Sequence, residues 1–383
     1  MSDQFTTTTS RNYFQRLGDS FLGILIGFVL LLLAVVLLFW NEGRAVDASR
    51  GLSAASKAAV SVTGAQVLPA NEGKLVHVTG TSATTAPILH APTGVSAPAA
   101  LALVSKVEMF QWVETNETST KDKVGGTQET TTTTTYTQKW HEGPLVSADF
   151  KRPDGHANPD MPIVSRVDVA SDAQLGGFKL SSDVIKLLPS DSPYVPETAP
   201  TGWSKTATGL FKGTGTPDAP KVGDLQITFT LAPVGTMSVM GAQTGSQLTP
   251  WVSGKGNFAV LLAAPLIQAK EAMVSDAKDA EGFLTWVLRV IGTLMCVGGF
   301  GLIMGPLKAI GNVIPFVASV VGSATGLVAF GLGFVLALVV IAVAWFVVRP
   351  ILTFVLLAAG IAVLVGLSKM PRKHQASSAG VAA

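Results

Sequence analysis

The chain has 383 residues, of which 48% are hydrophobic and only 14% charged, with a formal net charge of +2. A charged fraction so far below the usual quarter excludes a wholly soluble protein. The deficit is local: Asn41 to Gly282 carries 19 Lys/Arg against 23 Asp/Glu, whereas the remainder holds 8 Lys/Arg and only Asp3 and Asp19.

Residues 1–20 form a polar N-terminal segment with Arg11 and Arg16. Residues 21–40, Phe21 to Trp40, then run without a charge. That length matches the roughly 20 residues a bilayer core of about 30 Å requires. It exceeds the apolar region of a cleaved signal peptide and ends on an aromatic residue at the expected water interface, so it reads as a retained anchor.

Residues 41–282 read as one inserted domain, α+β and mostly β. Ala45 to Val60 is rich in helix formers. Leu75–Thr79 lies between turn residues and reads as a strand. Val104–Glu114 and Glu129–Trp140 flank the polar segment Lys121–Gly126 and read as a hairpin. Its second strand contains the six consecutive threonines Thr130–Thr135. Val164–Ala170, Asp224–Leu231, Gly235–Gly241 and Phe258–Leu262 are further short strands, and Pro189–Pro200, with four prolines, is a loop. Leu266–Ala280 reads as a juxtamembrane helix.

Three more spans are expected after this block. The second covers 283–307 and the third 325–348, separated by a re-entrant or interfacial piece over 308–324 with Pro315 and Gly322. Arg349-Pro350 forces a turn, because proline lacks a backbone donor and disfavours helix at the residue before it. The fourth span is 351–367, followed by the basic tail 368–383. The fold class is thus a four-helix membrane bundle with an inserted β-rich extramembrane domain. Lys369, Arg372 and Lys373, with Arg11 and Arg16, place both termini in the cytoplasm and the acidic block outside it, in periplasm or lumen. Gly301-x-x-x-Gly305 and Gly322-x-x-x-Gly326 suit close helix approach.

The search for chemistry is brief. His141-Glu142 lacks the second histidine of a zinc-protease pattern, since Leu145 stands there. The one cysteine, Cys296, forbids an intramolecular disulfide and a cysteine-based zinc site. Asp154, Asn158 and Asp160 lack calcium-loop spacing. No catalytic residue, cofactor or metal is assigned, and an acidic domain gives nucleic acid no electrostatic footprint. The spans from Phe283 to Leu367 contain no acidic residue or histidine, which disfavours a transporter.

Two features remain. Asn41-Glu42-Gly43-Arg44 and Asn71-Glu72-Gly73-Lys74 repeat a pattern that suits a cap or turn, a carboxylate accepting backbone donors and a glycine supplying an unusual dihedral. Aromatic residues Phe110, Trp112, Trp140, Trp203 and Trp251 suit a β core. Glu108, Glu114, His141 and His156 are the residues to test should the domain carry activity.

Several strings in order resemble the LUMA (transmembrane protein 43) family. They are Asn41–Val46, Asn71–Val78, Val107–Glu114 with Gln111-Trp112 at its centre, Tyr136–Trp140, Gly155–Pro159, Val222–Leu225, Gln247–Pro250 and Phe346–Pro350. The correspondence covers nearly the whole chain. It implies four spans, a large lumenal or periplasmic loop, and a scaffold role without catalytic residues. Animal members lie in the endoplasmic reticulum and inner nuclear membrane, self-associate and bind lamins and emerin. The Thr-, Ala- and Gly-rich composition reads as that of a bacterial member in an inner membrane, where lamin and emerin have no place. The function expected is a non-enzymatic membrane organiser that forms homo-oligomers and contacts membrane lipids or other membrane proteins. The alternative is an accessory subunit or enzyme of envelope proteolysis or lipid processing.

Overall fold

The computed structural model describes residues 2–63, 66–123, 127–253, 257–307 and 315–348. The expected fourth span, the tail, Arg349 and Pro350 lie outside them.

Strand β1 (Ser2–Arg11) comes first among the described residues. At Asn12 the chain turns into helix. The Asn12 side chain accepts from Gln15 N–H at 2.9 Å, and the Gln15 side chain accepts from Asn12 N–H at 3.1 Å. This reciprocal cap satisfies donors that a helix start leaves orphaned. Helix α1 (Tyr13–Ala58) then runs 46 residues without a break. The first apolar span and the alanine-rich segment after it are one rod.

Strands β2 (Val60–Thr63) and β3 (Leu75–Ala83) pair in parallel. Strands β4 (Ala100–Asp122) and β5 (Gln128–Glu142) form the long hairpin, with Glu114 opposite Tyr136 and Thr120 opposite Thr130. The threonine run is a strand because both of its edges are paired, one to β4 and the other to β1. β-branched side chains suit such a pleated surface. A one-turn helix α2 (Ser182–Ile185) is capped by Ser181. Strands β6 (Gly209–Lys212), β7 (Leu225–Pro233), β8 (Thr236–Thr244) and β9 (Leu262–Ala264) follow.

Two large sheets and two two-stranded ribbons result among the described residues. One large sheet runs β1-β5-β4-β7-β6 along its main path, and the other contains β9-β8-β3-β2. Between them lies the main core, with Leu101, Leu103, Ile227 and Phe229 from the first sheet facing Val76, Val78 and Val239 from the second. Phe178 and Ile185 are completely buried there.

Helix α3 (Lys270–Ile303) is also unbroken, so the juxtamembrane helix and the second span are one element. Helix α4 (Pro315–Val348) is the third long apolar helix. Residues 315–324 of the expected re-entrant or interfacial segment are helical and continuous with the third span, and its residues 308–314 lie outside the described residues. Three helices, within 14–58, 270–303 and 322–348, are long and apolar enough to cross a membrane.

A second apolar cluster fuses rods to domain: Leu52 and Ala55 of α1 and Met273 and Val274 of α3 pack on Leu75, Met240 and Val260. A third cluster, Ala34, Leu38, Cys296, Ala337 and Val340, holds the bundle. Among the described residues, the close helix approaches occur at other glycines than those in the two Gly-x-x-x-Gly spacings. A Cβ on Gly292 would meet Leu38 Cδ2 at 2.5 Å, one on Gly27 would meet Gly299 O at 2.7 Å, and one on Gly333 would meet Val297 Cα at 2.6 Å. A Cβ on Gly301, Gly322 or Gly326 would meet nothing within 4 Å, and one on Gly305 only Ser20 at ordinary contact distance. Small-residue spacing alone does not say which face of a helix is packed.

Candidate functional site

Two polar clusters gather most of the residues singled out in the sequence. The first lies where the rods leave the apolar bundle. Trp40 on α1, Trp286 on α3 and Trp345 on α4 provide one indole per helix near this boundary, as expected of an aromatic belt. Beside them Glu42 is only 2% exposed. A carboxylate so buried requires full pairing. It has it: Arg289 Nε donates to Oε1 at 2.6 Å and Nη2 to Oε2 at 2.8 Å. Trp345 Nε1 donates to Oε2 at 2.7 Å. The Arg289 guanidinium also lies 5.1 Å from the Trp286 ring centre and 5.8 Å from that of Trp345. One carboxylate thus joins three helices.

Neighbouring residues extend the clamp. Asn41 Nδ2 donates to the Thr285 carbonyl at 3.1 Å. Arg44 pairs with Glu281 and donates from Nη2 to Thr285 Oγ1 at 3.2 Å. A cavity of about 250 Å³ opens beside the pair, lined by Glu42, Ser49, Lys278, Glu281 and Arg289 among others. Asn41–Arg44 therefore lies in the interior of α1 rather than at a cap or turn, and Gly43 is helical. The helix continues because each polar side chain finds its partner on α3 or α4 and need not bond its own backbone.

The twin segment behaves as the sequence suggested. Pro69–Asn71 is a 3-10 turn, and Gly73 has φ +73°, a conformation that favours glycine. The Glu72 carboxylate accepts from Gly245 N–H at 3.0–3.1 Å, and Gly73 N–H donates to the Gln243 carbonyl at 2.9 Å.

The second cluster sits on the long hairpin. Gln111, fully buried, donates to the Gly143 carbonyl at 2.7 Å and accepts from Leu145 N–H at 3.2 Å. Asn158 pairs with both backbone groups of Trp112, at 2.7 and 3.0 Å. Glu114 accepts from Tyr136 Oη and from Lys151 N–H, each at 2.7 Å. Burial alone would raise the Glu114 pKa, but hydrogen bonds from Asn116, Tyr136 and Lys151 outweigh it and hold the carboxyl below its ordinary range. His156 stacks on Tyr136 at 3.9 Å and meets Trp112 edge-on at 4.8 Å. Trp140 packs edge-on against Phe110 at 5.4 Å and Phe211 at 6.3 Å.

The four residues marked for testing do not converge as a group. Glu108 accepts from Lys106 and Gln226, at 3.0 and 2.9 Å. His141 lies across the ladder, its Nδ1 3.3 Å from the Gly143 carbonyl, while Glu114 and His156 share only Tyr136 between them. Among the described residues, no group of three or more His, Cys, Asp or Glu side chains is arranged to hold a metal ion. Within each cluster the side chains bond to backbone or to each other and act as fasteners.

Sequence reasoning missed Arg289 as the partner of Glu42 and Trp345 as its third donor. The available signal was depth: a lone arginine early in one apolar span and a lone carboxylate just beyond another imply equal height. Asp224 was also missed as an individual residue. It is buried and gathers the N–H groups of Thr214, Gly215 and Lys221 at 2.8–3.1 Å.

A β-rich domain carried on unbroken apolar rods and pinned by a buried ion pair defines an integral membrane protein with a large extramembrane domain. The family model for transmembrane protein 43 matches residues 109–350. The chain belongs to that family, also called LUMA. It is 29% identical to human transmembrane protein 43 over 391 residues, covering 96% of this chain and 95% of the human one. It is 28% identical to the rat protein over 383 residues, covering 96% and 95%. The fruit-fly homologue is 29% identical over 349 residues, covering 88% and 91%. These relatives are animal proteins, and none of the printed names states an activity. No solved structure matches.

Proposed function

We propose that the protein is a non-enzymatic membrane scaffold with four spans, the domain lying in lumen or periplasm. It self-associates and binds other membrane proteins or lipids through that domain. The observation that carries this reading is mechanical: α1 and α3 pass from bundle to domain without a break, and Glu42, Arg289 and Trp345 lock three helices at the crossing. Such a joint holds a binding surface at a fixed height and angle. The polar groups of the hairpin cluster support the same reading, because their lone pairs and protons are spent on fixing loops.

The described apolar helices fit an inner membrane, or an endoplasmic-reticulum membrane in a eukaryote. Lamin and emerin are partners only in the latter setting. Crosslinking in native membranes followed by native mass spectrometry tests the reading. Dimers or higher species are expected, and monomers alone would overturn self-association.

A further inference from the structure

Strand β1 occupies the outer edge of the long hairpin, and its seat is chemically specific. Its ten residues pair antiparallel with β5 in continuous register, from Ser2 opposite Thr137 to Arg11 opposite Gln128. Thr6–Thr9 lie opposite Thr133–Thr130. At the inner end an Asp3 carboxylate oxygen lies 3.5 Å from His156 Nε2. Two residues on, and so on the same face, the Phe5 ring packs 6.3 Å from Tyr136, with the Arg152 guanidinium 3.7 Å above it. This is strand addition, in which main-chain bonds give grip and alternate side chains give selectivity.

The strand cannot keep that seat while α1 crosses a bilayer. From Tyr13 to Phe21 the helix rises about 12 Å, and the apolar run Phe21–Trp40 takes about 30 Å more. Asp3 to Arg11 spans at most about 28 Å of extended chain, and the link to Tyr13 adds about 7 Å. Starting below the bilayer, Asp3 would stop within the hydrocarbon, about 7 Å short of the face where the domain stands. Docking would hold the hairpin at that depth, with Glu114 and Glu117 in lipid beside an open sheet edge. Open edges do not occur there, and buried charge is costly. Insertion of α1 and docking of β1 exclude each other.

We propose that in the membrane-inserted protein the β5 edge, Gln128–Thr137, is vacated and receives an extended peptide segment of a partner on the domain's own side. Its chemistry is that of the displaced strand. An acidic residue meets His156, an aromatic residue two places later slides between Arg152 and Tyr136, and a run of β-branched polar residues follows. This rests on the scaffold reading and names the surface that does the binding.

The test uses the full chain in phosphatidylcholine nanodiscs and, as probe, a fluorescent decapeptide with the sequence of Ser2–Arg11. Saturable binding by anisotropy is expected, weakened about three- to tenfold by Arg152→Ala in the protein or Phe5→Ala in the peptide. Arg152→Ala must retain the parent melting temperature, and the peptide variant needs no folding control. In parallel, Thr7→Cys and Thr132→Cys, Cα partners in the docked strand, are combined with Cys296→Ala and oxidised in nanodiscs. No intramolecular disulfide is expected. A disulfide there, or no peptide binding by a chain that still forms oligomers, overturns the proposal. Peptide binding by a strictly monomeric chain sustains this edge and removes only self-association.

Discussion

Asn41-Glu42-Gly43 and Asn71-Glu72-Gly73 share a tripeptide, and the fold uses it in opposite ways. The first lies in mid-helix with its carboxylate buried on Arg289 and Trp345. The second lies in an exposed turn whose carboxylate reaches one backbone donor. The difference is set by what lies across from each: an arginine-bearing apolar helix in one case, a hairpin end and water in the other. Local sequence offers a carboxylate and a flexible residue, and tertiary surroundings decide whether they terminate a helix or ride inside it.

That contrast can be broken by experiment. Glu42→Ala leaves the part-buried Arg289 without its carboxylate, so about 2–4 kcal/mol of stability should be lost. The fall would show as a lower melting temperature in detergent or nanodiscs. Glu42→Leu combined with Arg289→Met should recover most of it, since apolar replacements of buried pairs are often neutral. If the single variant melts like the parent, the two segments are not as different as their surroundings imply.

The glycines give the next largest effect, with opposite signs. Gly73→Ala forces a side chain into the left-handed region and should cost about 1–2 kcal/mol. Gly43→Ala removes a flexible residue from a helix interior where a new Cβ meets nothing within 4 Å. It should stabilise by about 0.5–1 kcal/mol. Denaturation of the two variants side by side reads the difference, and equal signs would contradict the assignment of helix to one and turn to the other. Smallest is Glu72→Ala, which removes an exposed acceptor from Gly245 N–H and should cost about 1 kcal/mol or less. A loss matching that of Glu42→Ala would erase the distinction.

Much of this architecture was legible in the chain. The uncharged run Phe21–Trp40 and the apolar segment after Gly282 are bulk properties, and a bilayer reads bulk properties. The hairpin was visible because its strands are adjacent and its turn is polar. Strand β1 was not visible: its threonines look like linker, and its partner lies more than a hundred residues away. The helical fate of Asn41–Arg44 was hidden for the same reason, because Arg289 and Trp345 are distant in sequence. In the hairpin cluster Gln111, Trp112, Glu114 and His156 were all marked, yet their service as loop fasteners depends on Asn158, Tyr136 and Gly143, which no spacing connects to them.

The unbroken course of α1 has a mechanical consequence. From Trp40 to Ala58 the rod stands about 27 Å beyond the membrane boundary. Helices lean to match the thickness of the surrounding lipid. Without a hinge, a lean of about 10° would sweep the far end of the rod sideways by roughly 5 Å, carrying Leu52, Ala55 and the sheet packed on them. Lipid thickness is thereby written into the heading of the domain, as the angle of a mast reports the trim of a hull.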